Sequence, residues 1–238
     1  MATYSDNSEA DLHRAFILHR RPYSDTNLLL ECFTAAGRFP AIARVSTSSK
    51  SRTAGLLQPF TPLWIQWKGK GEVVSLYKYE QISQPYILKD NALLCGFYLN
   101  ELLTRLLQRN DPFPDVFQAY SDTLEALAAG SEIDPLLRRF ELRLLDNLGY
   151  GIDLRYTYDT GEPVEEDGYY TVAIEQGLSR ADYQTEQTLS GKTLLALSND
   201  QELEPALWRE ARNFTRKMLN HYLGPTPLKS RELFRKKF

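Results

Sequence analysis

Apolar and polar positions change rhythm twice along this chain. Up to about Tyr86 the apolar residues come in short runs: HRAFILHR, TNLLLECF, FPAIARV after the turn-forming AAGR, then LLQPFTPLWIQW and EVVSLYKYE separated by the glycines of KGKG. Runs of this length, bounded by turn residues, predict about five strands. An open sheet of that size would expose its edges, so closure into a five-stranded Greek-key barrel of the OB type is expected. Strand count alone leaves an SH3-like barrel open.

After Pro85 the spacing becomes helical. NALLCGFYLNELLTRLLQR sets Leu94, Tyr98, Leu102 and Leu106 on one stripe, with Glu101 and Arg105 as an i,i+4 pair, and residues 113–129 repeat the pattern with Phe117, Tyr120, Leu124 and Leu127. A third helix is marked by Asp134 as N-cap, Pro135 in the first turn, Phe140, Leu144 and Leu148 as its stripe, and Gly149 as its stop. These three helices are expected to pack as a bundle. From 152 to 190 the regularity lapses, and YDTGEPVEEDGYY reads as turns and short strands. A last helix from about Pro205 to Leu223 precedes PTPLKSRELFRKKF. The expected class is α+β: a barrel over 1–85, then a mainly helical domain over 86–238 with a small irregular insert at about 152–190.

At 238 residues, with 42% hydrophobic and 25% charged positions, the composition is that of an ordinary soluble protein. No run is long enough for a transmembrane helix and MATYSDNSEAD does not read as a signal peptide, so a cytoplasmic location is expected. Cys32 and Cys95 sit apart in LLLECF and ALLCGF, which predicts buried, reduced thiols. Isolated cysteines and histidines supply no tetrahedral zinc site.

The formal net charge of -3 conceals a division along the chain. From Asp153 to Glu204 twelve acids face only Arg155, Arg180 and Lys192, whereas from Pro205 onward nine Lys and Arg face Glu210 and Glu232. Between Glu31 and Glu72 there is no carboxylate at all, while Arg38, Arg44, Lys50, Arg52, Lys68 and Lys70 are interleaved with Trp64 and Trp67. A surface field follows local arrangement, so the near-neutral sum leaves a polyanionic partner open.

Enzyme chemistry finds little support in the pattern. SGKT at 190–193 would end a phosphate-binding loop only with glycine where Glu186 stands, and a carboxylate there repels phosphate. The acids of PVEEDG lack a partnering carboxylate pattern for a metal, and no serine sits in a nucleophile elbow. No catalytic residue, metal or cofactor is expected. Sequence-independent binding of nucleic acid, by contrast, needs cations along phosphates and aromatic faces for bases, each stacked base contributing about 1–3 kcal/mol. Arg38, Arg44, Lys50, Arg52, Lys68, Lys70, Trp64 and Trp67 are candidates in the barrel. Both tryptophans also alternate with Leu63 and Ile65, so either could belong to the core. Arg209, Arg212 and Arg216 share a face of the last helix, and with Lys229, Arg231 and Arg235 they read as a phosphate track or as a solvated surface. KSRELF could instead dock Leu233 and Phe234 against the helices.

Taken together, RAFILHRRPYSDTNLLLECFT, LLQPFTPL with GKGEV, FYLNELLTRLL, LLRRFELRLLDNLGYG, TGEPV and PLKSRELF run in order over nearly the whole chain, and resemble the gammaproteobacterial form of the RecO family of bacterial DNA-repair and recombination mediators. The resemblance implies an OB barrel, a helical C-terminal domain and an interposed zinc-ribbon-like segment. It also implies a non-enzymatic activity, in a protein that is monomeric by itself and nucleoid-associated: binding single- and double-stranded DNA, annealing complementary strands, and, with RecR, helping load RecA onto DNA covered by single-stranded-DNA-binding protein. Many relatives carry cysteine pairs after GYG, where this chain has IDLRYTYDTG, so no zinc is expected and Tyr156, Tyr158, Tyr169 and Tyr170 are expected to hold the segment. The acidic, apolar-ended tail of single-stranded-DNA-binding protein needs a cation beside an apolar pocket. Arg138, one turn from Leu142 and two from Leu145, is the candidate; a solvated Arg138, or one paired with Glu141 or Asp134, is the alternative. An RNA- or tRNA-binding OB protein and, more remotely, a metal-dependent hydrolase are the other function classes.

Overall fold

The structure is a computed structural model that describes residues 12–45, 53–199, 201 and 203–235. Five strands, β1 (His13–Ser24), β2 (Asn27–Thr34), β3 (Gly37–Arg44), β4 (Leu63–Lys68) and β5 (Val74–Gln81), close a barrel in the order β1-β2-β3-β5-β4. All pairings are antiparallel except β3 with β5, and a short helix α1 (Thr53–Leu56) lies between β3 and β4. Period-two alternation turns Ala15, Ile17, Leu30, Cys32, Phe39, Ala41, Ala43, Leu63, Ile65 and Leu76 inward around Leu57. Alanine and cysteine at so many of these positions suit the narrow lumen of a small barrel. Burial pushes the Cys32 thiol well above its ordinary range, and both cysteines are free and buried.

The first strands read as nearly unbroken apolar runs because they are covered on both sides. Outward from β1 and β2, Phe16 and Phe33 meet Phe117 and Tyr120 of α3 (Pro114–Ala128), with ring centroids 5.1 Å apart for Phe16–Tyr120 and 5.4 Å for Phe33–Phe117. Asn100 of α2 (Asp90–Leu106) is buried among them, donating to the Leu18 carbonyl at 2.9 Å and accepting from the Tyr120 hydroxyl at 2.5 Å. Its amide is thus satisfied in an otherwise apolar layer.

The chain forms two compact units, one comprising Met1–Ala128 with Leu228–Phe238, the other Ala129–Pro227. The barrel strands end at Gln81, before residue 85, and α2 and α3 fall in the same compact unit as the barrel. The three consecutive helices expected to form a bundle divide between the units. Helix α2 packs with α3 and with the terminal α7 (Lys229–Arg235), while α4 (Ile133–Asn147) packs with α6 (Trp208–Leu223) in the second unit. The apolar outer face of β1 and β2 is what recruits α3. Asp134 falls in the first turn of α4 rather than at its N-cap, Glu132, and Gly149 (φ +76°) closes the helix: its N–H donates to the Asp146 carbonyl at 3.0 Å and that of Tyr150 to Leu145 at 2.8 Å.

Within the second unit, β6 (Tyr169–Ala173), β7 (Gly177–Ala181) and β8 (Leu189–Ser190) form a sheet in the order β7-β6-β8, followed by α5 (Gly191–Ser198). Of the four tyrosines expected to hold this segment, only Tyr170 is fully buried, its hydroxyl accepting from the Glu165 N–H at 2.7 Å. Tyr156 and Tyr158 are half exposed, and the turn before the sheet is held by Thr157, whose hydroxyl receives the Glu162 N–H at 3.1 Å.

Candidate nucleic-acid interface and partner pocket

Within the barrel's unit, α2 and α3 cover the outer side of β1 and β2, while β4 and β5 carry exposed side chains on their outer side. On β4 the alternation sends Leu63 and Ile65 in, and Trp64, Gln66 and Lys68 out. On β5 a register shift opposite Gln66 and Trp67 leaves Tyr77 without a partner in the ladder, so Tyr77 and Lys78 both face outward. Bulges re-aim side chains in this way. Lys68 Nζ sits 5.9 Å from the Tyr77 ring centroid, a cation–π contact. Trp64 lies between Arg14 of β1 and Glu80 of β5, and Glu80 pairs with Lys78 at 3.4 Å. Arg44 is exposed at the end of β3, its carbonyl receiving the Tyr79 hydroxyl at 3.0 Å, and Lys70 is exposed in the β4–β5 hairpin. Arg14 and Arg44 make no ion pair with any described residue. Lys50 and Arg52 lie outside the described residues.

Arg14, Tyr77 and Lys78 escaped the sequence reading. A signal for the last two exists: strict alternation through LYKYE would turn Lys78 and Glu80 toward the lumen, which is tolerable only if a bulge resets the phase.

Two barrel candidates are placed elsewhere by the structure. Arg38 is buried, ion-paired with Glu31 and donating to the Leu107 carbonyl at 2.8 Å, while Arg109 approaches the other Glu31 oxygen at 3.0 Å. It does point off the barrel, but into the segment that follows α2, so it cannot meet phosphate. Trp67 follows Leu63 and Ile65 on the inner side and packs against Phe39 at 4.5 Å and His13 at 4.7 Å. Its faces serve the barrel's core.

The basic C-terminal residues are divided between the units. On α6, Arg209 and Arg216 are exposed, but Arg212 makes a two-pronged contact with Asp134 at 2.9 and 2.8 Å. Lys229 and Arg231 lie in α7, with the Arg231 guanidinium 5.9 Å from the Tyr98 ring centroid. Glu101 of α2 receives the N–H groups of Lys229 and Ser230 at 2.9 and 2.8 Å and the Ser230 hydroxyl at 2.6 Å, and so caps α7. Burial opposes the charge on Glu101, but the Ser230 hydroxyl, these backbone donors and Arg105 outweigh it and hold the carboxyl below its ordinary value. The side chains of Leu233, Phe234 and Arg235 lie outside the described residues.

In the second unit a pocket of about 400 Å³ is walled by Leu142 and Leu145 of α4, Leu197 of α5, and Phe214 and Met218 of α6. The charged groups at its edge are Asp146, Asp153 and Arg155. Arg138 does not line it. That side chain is buried and pairs with Glu141 at 2.8 Å, its Nε finding no hydrogen-bond partner among the described residues. The cation available to a ligand of this pocket is therefore Arg155, 3.9 Å from Asp153 and largely exposed.

SGKT is occupied from within. Ser190 caps α5 by accepting the Thr193 N–H, and Glu210 of α6 receives the Ser190 N–H at 2.5 Å, its hydroxyl at 2.8 Å and the Thr193 hydroxyl at 2.5 Å. A carboxylate thus holds the place where a phosphate would bind, and a Cβ on Gly191 would fall 1.8 Å from the Glu165 carbonyl oxygen. Among the described residues no cluster of His, Cys, Asp or Glu could hold a metal ion, and no helix is long and apolar enough to cross a membrane.

A closed five-stranded barrel carrying a helical extension, with its open face rich in cations and aromatic rings, defines an OB-fold binding protein. Residues 12–85 match the family model described as Recombination protein O N terminal, and residues 91–232 that of Recombination protein O C terminal. The chain is 42% identical over 222 residues to the DNA repair protein RecO of Actinobacillus succinogenes, covering 93% of this chain and 94% of the relative. It is 42% identical over 232 residues to that of Methylococcus capsulatus (97% and 95%) and 43% over 224 residues to that of Coxiella burnetii (93% and 96%). The chain belongs to the RecO family, whose members are non-enzymatic, DNA-binding mediators of repair and recombination. A solved structure of Entamoeba histolytica asparaginyl-tRNA synthetase aligns over 70% of this chain and 38% of its own at 11% identity with a TM-score of 0.28, a likeness too slight to bear on function.

Proposed function

We propose that this protein holds single- and double-stranded DNA on the β4–β5 face of its barrel, anneals complementary strands there, and, in concert with RecR, assists RecA loading on DNA covered by single-stranded-DNA-binding protein, in the cytoplasm at the nucleoid. The observation that carries this reading is the placing of exposed Arg14, Arg44 and Lys68 with Trp64 and Tyr77 on and beside the outer face of β4 and β5. Cations there track the backbone and the rings offer faces to bases without regard to sequence. Arg209 and Arg216 are exposed on α6 of the second unit and are candidates for separate phosphate contacts. Replacing Arg14, Arg44, Lys68 and Lys78 together by Ala is expected to lower the salt slope of binding by about 0.7 per lost contact on single strands and about 0.9 on duplex. The melting temperature should hold, since all four are exposed. Strand annealing in the absence of ATP should fall in parallel; an unchanged salt slope would exclude this face, and preference for RNA in direct competition would favour the RNA-binding class.

The pocket of the second unit fits the acidic, apolar-ended tail of single-stranded-DNA-binding protein, with Leu142, Leu145 and Phe214 around the apolar end and Arg155 for a carboxylate. Arg155→Ala is expected to weaken a labelled tail peptide about fivefold, a modest loss because the guanidinium is solvated, and Leu142→Asp to abolish binding. Fluorescence anisotropy of the peptide reads both.

A further inference from the structure

The pocket's edge carries a group that acts against an acidic ligand. Asp146 closes the last turn of α4 with its carboxylate at the pocket, and that carboxylate makes no hydrogen bond or ion pair with any described residue. Asp153, by contrast, receives the Arg155 N–H at 2.8 Å and faces the Arg155 guanidinium. The space taken by the Asp146 carboxylate is reserved for it: a Cβ on residue 151 would fall 2.0 Å from Oδ1, and residue 151 is glycine. A charged group held at a pocket, without a partner, is a group whose charge the ligand must meet.

We propose that Asp146 is an electrostatic brake on capture of the acidic tail: the pocket takes the tail most tightly with a proton on this carboxylate, so that capture is linked to proton uptake. The proposal rests on the tail reading of the pocket given above. Arg155 and Asp146 line the same pocket, so tail carboxylates drawn to Arg155 lie in the field of Asp146, and like charges repel even under partial solvent screening. Burial against the pocket wall already pushes the Asp146 carboxyl up from its ordinary value, and a bound anion pushes it further. The sign follows from linkage: a group that binds its proton more strongly in the complex makes affinity rise as pH falls, through the range above the ordinary carboxylate value. The other charged groups facing the pocket are Asp153 and Arg155, which pair with one another; α5 and α6 present Leu197, Ser198, Phe214 and Met218. On α6 the titratable His221 is paired with Glu175 at 3.0 Å.

The test uses the full chain and a synthetic peptide of the tail of single-stranded-DNA-binding protein, titrated calorimetrically in two buffers of unlike ionisation enthalpy. Wild type should take up a fraction of a proton on binding and lose affinity as pH rises above the ordinary carboxylate range. Asp146→Asn is nearly isosteric and removes no side-chain partner among the described residues. It should bind about three- to tenfold more tightly at about pH 7.5, with proton uptake abolished and a flatter pH profile. Asp153→Asn should keep the uptake. Equal affinity and equal uptake in wild type and Asp146→Asn would overturn the proposal while leaving the tail reading in place. Uptake abolished by Asp153→Asn instead would transfer the role and overturn it too. Failure of both proteins to bind the peptide would overturn the tail reading and the brake with it.

Discussion

Replacing Arg38 by Ala is expected to destabilise the barrel's unit by about 3–5 kcal/mol, the range for removing one partner of a buried ion pair. The cause is what remains. Glu31 would keep only Arg109, which is half exposed, and the Leu107 carbonyl would lose its donor. Glu31→Ala should cost as much, by stranding a buried guanidinium. Apolar replacement of both residues should cost less than the two single changes combined, because it leaves no buried charge behind. Denaturant melts of the four proteins form the cycle. DNA affinity per folded molecule should be unchanged in Arg38→Ala and reduced in Arg44→Ala, which separates the structural arginine from the exposed one. A wild-type melt for Arg38→Ala would show that the pair holds nothing together.

The second large effect concerns α7. A chain ending before Leu228 should lose stability in the first unit, since it forfeits the buried Leu228 side chain, the buried Ser230 and the Lys229 and Ser230 donors to the Glu101 carboxylate. Burying a leucine alone contributes about 1.5–3 kcal/mol. Glu101→Ala isolates the cap and is expected to cost about 1–2 kcal/mol, at the low end for hydrogen bonds to a charged group because Glu101 is only partly shielded. Its folded carboxyl lies below the ordinary value, so this contribution is fully present above the unfolded pKa and disappears as pH falls through the folded one. Stability measured from neutral pH down through the carboxylate range should converge for wild type and Glu101→Ala in acid. Parallel curves would show that Glu101 does not hold α7.

Strands and helices were legible because their signal is local: AAGR and KGKG punctuate the barrel, and the stripes of α2, α3 and α4 repeat with helical period. What a stripe faces is a different matter. Nothing in the spacing of Phe117 and Tyr120 tells whether they meet another helix or the back of β1, which is why the bundle expected of three consecutive helices divides between two units. The same limit governs the arginines. Arg38 and Arg44 sit on one strand, both outward by parity, and only the helical segment ending at Leu107 makes one of them buried. Helical spacing places Arg138 beside Leu142 and Leu145 and equally beside Glu141, and the side chain at 138 turns into the contact with Glu141. Arg155 lay in a stretch without periodicity, so its nearness to α4 had no sequence signal.

The motifs at FYLNELLTRLL and PLKSRELF, far apart in the chain, meet at Glu101 and Ser230. The second unit is therefore an insertion within the first, entered at Ala129 and left at Pro227. On the ribosome, where domains fold in order of emergence, the usual sequence is inverted. The unit that begins the chain is completed only after the insertion has been made, because the helix that satisfies Glu101 follows the whole insertion in the chain. A nascent chain that has emerged only as far as the insertion carries a barrel whose helical cover lacks α7.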